Sequence, residues 1–113
     1  MPLPTGTWTI NLNGRVLQLI VSAVDALGNM SGSLAIAAVS TPVSGFWDEV
    51  AQKLSFSLSV NPQSFTGFLF QDQFRMPGLT GSTVFTLVGS FQDFTVTSGD
   101  RLVFGWYAQI GAT

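Results

Sequence analysis

The stretch Lys53-Leu54-Ser55-Phe56-Ser57-Leu58-Ser59-Val60 decides the fold. Large apolar side chains fill every even place and small or charged ones every odd place, the period that sends alternate residues to opposite faces of a strand. One dry face and one wet face is how an antiparallel sheet covers a core. The period of two continues on both sides. Thr7 to Leu12 sets Trp8, Ile10 and Leu12 against Thr7, Thr9 and Asn11, and Val84 to Phe91 sets Phe85, Leu87 and Phe91 against Val84, Thr86, Val88 and Ser90. Leu102 to Ile110 alternates as well, but with apolar residues on both faces. Helical periodicity is absent, apart from room for a single turn between Asp48 and Lys53.

Turn residues separate these runs. Asn13-Gly14 predicts a two-residue hairpin, because both positions tolerate positive φ. Further breaks are expected at Leu27-Gly28-Asn29, Ser40-Thr41-Pro42, Asp48-Glu49, Asn61-Pro62-Gln63-Ser64, Met76-Pro77-Gly78 and Ser98-Gly99-Asp100. The strands then fall at 6–13, 15–24, 30–38, 43–48, 52–60, 64–72, 82–97 (with room for a bend at Gln92-Asp93) and 101–110. A small residue, a glycine and then an apolar or aromatic residue recur at Gly6, Gly32, Gly45, Gly67, Gly89 and Gly105. Glycine inside a strand marks a bulge, a bend or close backbone approach. One per strand predicts the coiling that closes a sheet. The expected fold is all-β, an antiparallel up-and-down meander barrel of about eight strands forming one domain over 1–113, with a two-sheet sandwich as the alternative.

Composition narrows the chemistry. The 113 residues are 46 % hydrophobic and 9 % charged, with four basic and six acidic side chains and a net charge of −2. With neither His nor Cys, the chain lacks Ser/His and Cys/His nucleophile pairs, thiolate or imidazole zinc sites and dithiol redox chemistry. No cofactor is implied. Arg15, Lys53, Arg75 and Arg101 are scattered, so no basic stripe for nucleic acid exists. Neither a leader-like start nor an apolar run near the ~18 residues of a membrane helix is visible. A cytoplasmic chain is the default expectation, and a mature secreted one is equally compatible. Asp48 and Glu49 are adjacent in a turn and expected to point apart into solvent, while Asp93 and Asp100 have turn places. None forms a general acid and base pair. Asn29-Met30-Ser31 fits a glycosylation acceptor pattern that many chance triplets share.

Thirteen of the fourteen aromatics are Phe or Trp, more than a core of this size needs. The surplus suits either core packing, an apolar pocket or a subunit interface. Trp47, Phe68, Phe70, Phe104 and Trp106 are the candidate ligand-binding residues. The segment from Gln71 to Ser82 is the longest loop and carries Phe74, Met76 and Leu79, expected to act as an arm onto another subunit or as a lid. With Val103 and Tyr107 these are the candidate interface residues of a homo-oligomer, since so few charges cover a monomer poorly.

Thr5-Gly6-Thr7-Trp8 at the start of the first strand, the hairpin that follows, and Thr86-Leu87-Val88-Gly89 before Asp93-Phe94-Thr95 resemble the avidin and streptavidin barrels. The likeness spans most of the chain as an order of strands and rests on these two motifs. It implies a calycin-type barrel that binds a small molecule. Two residues after the opening Trp the family carries a polar ligand to the biotin ureido oxygen, where this chain has Ile10. Leu12 fits the pattern, whereas Gly14 stands where the family has a hydroxyl or amide donor. A full strand follows Thr-Leu-Val-Gly, and the Asp-to-Phe-Thr spacing is short. A buried ureido group left without partners is costly, so biotin is not the expected ligand.

The leading expectation is therefore a non-catalytic barrel for a small apolar or amphipathic molecule. A solid barrel acting as a structural or protein-interaction module is the alternative. An isomerase or cyclase barrel, needing a carboxylate or Tyr107 inside, comes third. A membrane barrel, with longer strands and a polar lumen, comes last.

Overall fold

The computed structural model describes residues 1–12, 14–36, 38–58, 63–71, 83–93 and 102–112. Eight strands follow one another: β1 (Gly6–Leu12), β2 (Arg15–Val24), β3 (Asn29–Ile36), β4 (Val39–Asp48), β5 (Lys53–Leu58), β6 (Gln63–Gln71), β7 (Thr83–Asp93) and β8 (Leu102–Ala112). Each pairs antiparallel with the next, and β8 returns to β1 through Thr9↔Gln109, Ile10↔Ala108, Asn11↔Tyr107 and Leu12↔Trp106, closing the barrel. Closure leaves no strand edge to guard, which a chain with so few charges needs.

The first hairpin forms as Asn13-Gly14 predicts: Leu12 pairs with Arg15, and Gly14 takes a positive φ of 84°. The hairpin between β3 and β4 differs from expectation. The break expected at Ser40-Thr41-Pro42 lies inside β4, and the connection is the two-residue step between Ile36 and Val39. Pro42 sits opposite Ser33 in an unbroken register. Between β2 and β3 the register shifts at Val21/Ala23, a bulge that lets Val24 rejoin the inner face opposite Met30. Gly28 and Asp25 make the β2–β3 turn, through Gly28 N–H to the Asp25 carbonyl at 3.1 Å.

Directly opposed residues share a face, so the registers sort inside from outside. Trp8, Ile10, Leu19, Leu34, Leu54, Leu87 and Ala108 meet in the interior with no exposed surface. Leu3, from the segment ahead of β1, is also buried and joins this core. Four of the recurring glycines sit where strands crowd. A Cβ at Gly32 would strike the Ile20 carbonyl, at Gly45 the Ser55 carbonyl, and at Gly89 the Thr66 carbonyl; at Gly67 it would lie 2.8 Å from the Trp106 ring. Gly105 is different: its nearest neighbour would be 4.0 Å away. Gly89→Ala is therefore expected to cost about 3 kcal/mol or more by overpacking, measured by urea denaturation, whereas Gly105→Ala stays within about 1 kcal/mol of the parent. Equal effects at the two sites would contradict the packing described.

Candidate functional site

The interior aromatic group is built by three adjacent strand pairs. Phe56 of β5 stacks on Phe65 of β6, with centroids 4.6 Å apart and planes 6° apart. Phe65 in turn meets Phe91 of β7 at 4.7 Å and the Trp106 ring of β8 edge-on at 5.5 Å. Trp106 and Phe56 are a further edge contact at 6.1 Å. Such pairs bring about 0.5–1.5 kcal/mol each beyond the area they bury. Trp106 reaches them because Gly89, directly opposite it, and Gly67, opposite Gly89, leave the inner wall bare.

All three indole N–H groups are committed within the chain. Trp8 Nε1 donates to the Pro4 carbonyl at 3.0 Å, Trp106 Nε1 to the Ser90 carbonyl at 2.9 Å, and Trp47 Nε1 to Glu49 Oε2 at 2.7 Å. The side chains packed around them are apolar, and the buried polar pair of β7 and β8, Gln109 Nε2 donating to Thr86 Oγ1 at 3.0 Å, stands at places that alternate with the inward Leu87 and Ala108. A polar ligand head inserted there would meet no donor, the condition that makes burial costly.

A cavity of about 430 Å³ lies elsewhere, at the end of the barrel where the β2–β3 and β4–β5 turns meet the segment ahead of β1. Leu3, Val24, Leu27, Phe46 and Trp47 supply its apolar lining, and Asp25, Asp48 and Glu49 its carboxylates. Leu27 is 79 % exposed and Phe46 50 %, so the cavity opens on their side, while Trp47 is almost buried. The size falls within the range of small-molecule sites.

Each carboxylate is held by its own turn. Asp25 Oδ1 accepts Leu27 N–H at 2.9 Å and Asn29 N–H at 2.8 Å, and its Oδ2 accepts the Asn29 side-chain amide at 3.1 Å. The Asn29 amides, backbone first, hold the Asp25 carboxyl below its ordinary pKa. Asp48 Oδ1 accepts Val50 and Ala51 N–H, both at 3.1 Å. Glu49 takes the Trp47 indole on Oε2 and lies 3.1 Å from the Met1 ammonium through Oε1. The indole hydrogen bond foremost, with the Met1 ammonium adding to it, lowers the Glu49 pKa. Asp48 and Glu49, expected as solvated neighbours in a turn, both line this cavity, and both are engaged in hydrogen bonds or an ion pair. Sequence reading passed over Asp25; Asp25-x-x-Gly28-Asn29 is a turn pattern that could have signalled it.

The candidate ligand residues are divided among different places. Trp106 is in the interior aromatic group and Trp47 lines the end cavity. Phe68 and Phe70 lie on the outer face, 45 % and 44 % exposed. Phe104 occupies a place in β8 opposite Phe91, and its side chain lies outside the described residues. Among the interface candidates, Tyr107 is on the outer face, 38 % exposed. Phe74, Met76, Leu79 and the Val103 side chain lie outside the described residues. The registers place Lys53, Phe68, Val88 and Tyr107 in one row across β5 to β8, with Lys53 Nζ 6.0 Å from the Phe68 ring centroid. No group of acidic residues suited to a metal ion occurs among the described residues.

Comparison with known proteins agrees on the architecture. No family model matches the chain, and no curated protein matches it in sequence. Solved structures do match in fold. Apo shwanavidin in a P1 crystal form is 16 % identical with a TM-score of 0.65, covering 96 % of this chain and 97 % of that one. Its P21 form gives 19 % and 0.63, over 99 % and 100 % of the two chains. A rhizavidin–biotin complex gives 14 % and 0.59, over 98 % and 95 %. The fold is avidin-like.

Because Glu49 titrates lower folded than unfolded, its contribution to stability is full above the ordinary glutamate pKa and is lost as pH falls through the folded value. In a pH titration by NMR, the Glu49 side-chain carbon and the Trp47 indole N–H are expected to move together, with a midpoint below that of an ordinary glutamate. In Glu49→Gln the Trp47 signal should no longer follow that step. A Trp47 signal that keeps the step in the variant would show that the indole answers to another group.

Proposed function

We propose that this chain is a non-catalytic binding protein for a small amphipathic molecule, working as a homo-oligomer and built on an avidin-like barrel without biotin chemistry. One observation carries the reading: the barrel offers a cavity of about 430 Å³ with an apolar wall at Trp47 and polar atoms at its rim, while its interior is packed with apolar side chains. An apolar wall with a few convergent polar groups is the usual make-up of a small-molecule site. The avidin-like fold supports a binding role, and rhizavidin is a barrel of this kind in complex with biotin. Biotin itself does not suit this interior, where Ile10, Leu34 and the committed indoles leave a ureido group unpaired. Assembly is supported by the outer row Phe68, Val88 and Tyr107, with Phe70 beside it, an apolar strip of the kind that subunits cover.

The solid interaction module is the second reading, favoured by the complete burial of Trp8, Ile10, Leu34 and Leu54. Titration decides between them. Hexan-1-ol is expected to shift the Trp47 indole N–H signal saturably while leaving Trp8 and Trp106 in place, the signals being assigned with Trp47→Phe, and biotin is expected to bind no tighter than about 1 mM. Light scattering on the same samples should give a mass above that of one chain, falling to one chain in the double variant Phe68→Ser, Tyr107→Ser. Absence of any saturable shift with neutral, anionic and cationic amphiphiles alike would overturn the binding reading. A parent protein of single-chain mass would overturn the assembly.

A further inference from the structure

We infer that the cavity beside Trp47 selects organic cations: molecules with a short apolar body and an alkylammonium head. The inference rests on the binding reading above and adds the charge of the ligand to it. Its first ground is a one-sided charge distribution. Asp25, Asp48 and Glu49 all line the cavity, and among the described residues no basic side chain does. Lys53 stands opposite Asp48 in the β4–β5 register, yet its ammonium is at the Phe68 ring on the outer face. Among the described residues the only cation near the rim is the Met1 ammonium, on Glu49 Oε1. Three carboxylates against one ammonium leave the mouth negative.

The second ground is how those carboxylates are held. Asp25 uses both oxygens to organise the 25–29 turn, so it is a fixed negative charge. Asp48 uses only Oδ1 for the 48–51 turn, and Oδ2 has no partner among the described residues. Oδ2 is thus the natural acceptor for an ammonium N–H, or the near charge for a quaternary head. The hydrogen bonds on Asp25 and Glu49 favour their ionised forms, so the negative field persists into mildly acid solution.

The third ground is the wall. Phe46, half exposed, sits against the backbone of Gly28, where a Cβ would come within 2.9 Å of its ring. The turn therefore fixes the ring at the mouth. An aromatic ring beside carboxylates suits a cation with an apolar body: the ring face attracts the positive head, and Leu3, Val24 and Leu27 take the chain. An anion would meet repulsion from all three carboxylates, and a neutral alcohol would gain only the apolar contacts.

The test uses three probes of one chain length: hexyltrimethylammonium, hexan-1-ol and hexanoate. Each is titrated into the full chain and followed on the Trp47 indole N–H. Hexyltrimethylammonium is expected to bind about tenfold more tightly than hexan-1-ol, and hexanoate not measurably. The preference should shrink about threefold in Asp48→Asn, whose amide oxygen can still hold the 48–51 turn, and fall as ionic strength rises. Glu49→Gln, which retains an acceptor for Trp47, should weaken it similarly, with the three indole signals confirming that both variants fold. Equal affinity for the alcohol and the cation would overturn the charge selectivity while leaving a binding cavity in place. A preference unchanged in both variants would overturn the role of the carboxylates. No saturable shift with any probe would overturn the binding reading itself, and this inference with it.

Discussion

The fold turns on the seating of one indole against two glycines. Trp106 projects inward from β8 and lies across Gly89 and Gly67, which leave the wall of β7 and β6 without side chains at that level. Its ring then reaches Phe65 and Phe56, so that β8 is tied through the interior to β5. Sheet closure through Ile10↔Ala108 brings the two ends of the chain together, and this contact braces opposite walls. Close packing is unforgiving of added atoms, which is why glycine stands at the places where a neighbouring strand or ring leaves no room for a Cβ.

That packing shapes what the barrel does. An interior made of Trp8, Ile10, Leu19, Leu34, Leu54 and the four aromatics in mutual contact spends its volume on stability. Its indole donors are turned to backbone carbonyls and to Glu49. On the proposed reading, recognition lies where the packing ends, at the turns beside Trp47. There polar atoms are organised by tight turns, and each carboxylate both shapes its loop and charges the rim. On that same reading the surface works without a catalytic group, and its proposed selectivity rests on charge and shape.

Much of the barrel was legible because its cues are local. Asn13-Gly14 marks its own hairpin, the even places of 54–58 mark an inner face, and the recurring glycines mark coiling. The hairpin between Ile36 and Val39 was not legible, since neither of its residues carries turn chemistry and Pro42 nearby gives a stronger signal for a break. The candidate site was only partly legible, for a reason of parity. In β6, Phe65 faces in while Phe68 and Phe70 face out, and in β4, Trp47 is buried while its neighbour Phe46 is half exposed. Apolar residues on both faces deprive alternation of its power to say which side is the core. The Asp25 turn has a local pattern in Asp25-x-x-Gly28-Asn29, but its meeting with Asp48 and Glu49 at one cavity depends on distances between turns, which spacing in the sequence does not carry.

The most direct measurement of this account is the set of proton–proton NOEs of the Trp106 ring. Strong contacts from its ring protons to the Gly67 Hα pair and to the Phe65 and Phe56 rings are the predicted result. A Trp106 ring that shows contacts to solvent or to outer-face residues such as Thr66, with none to Gly67, would contradict the packed and closed interior.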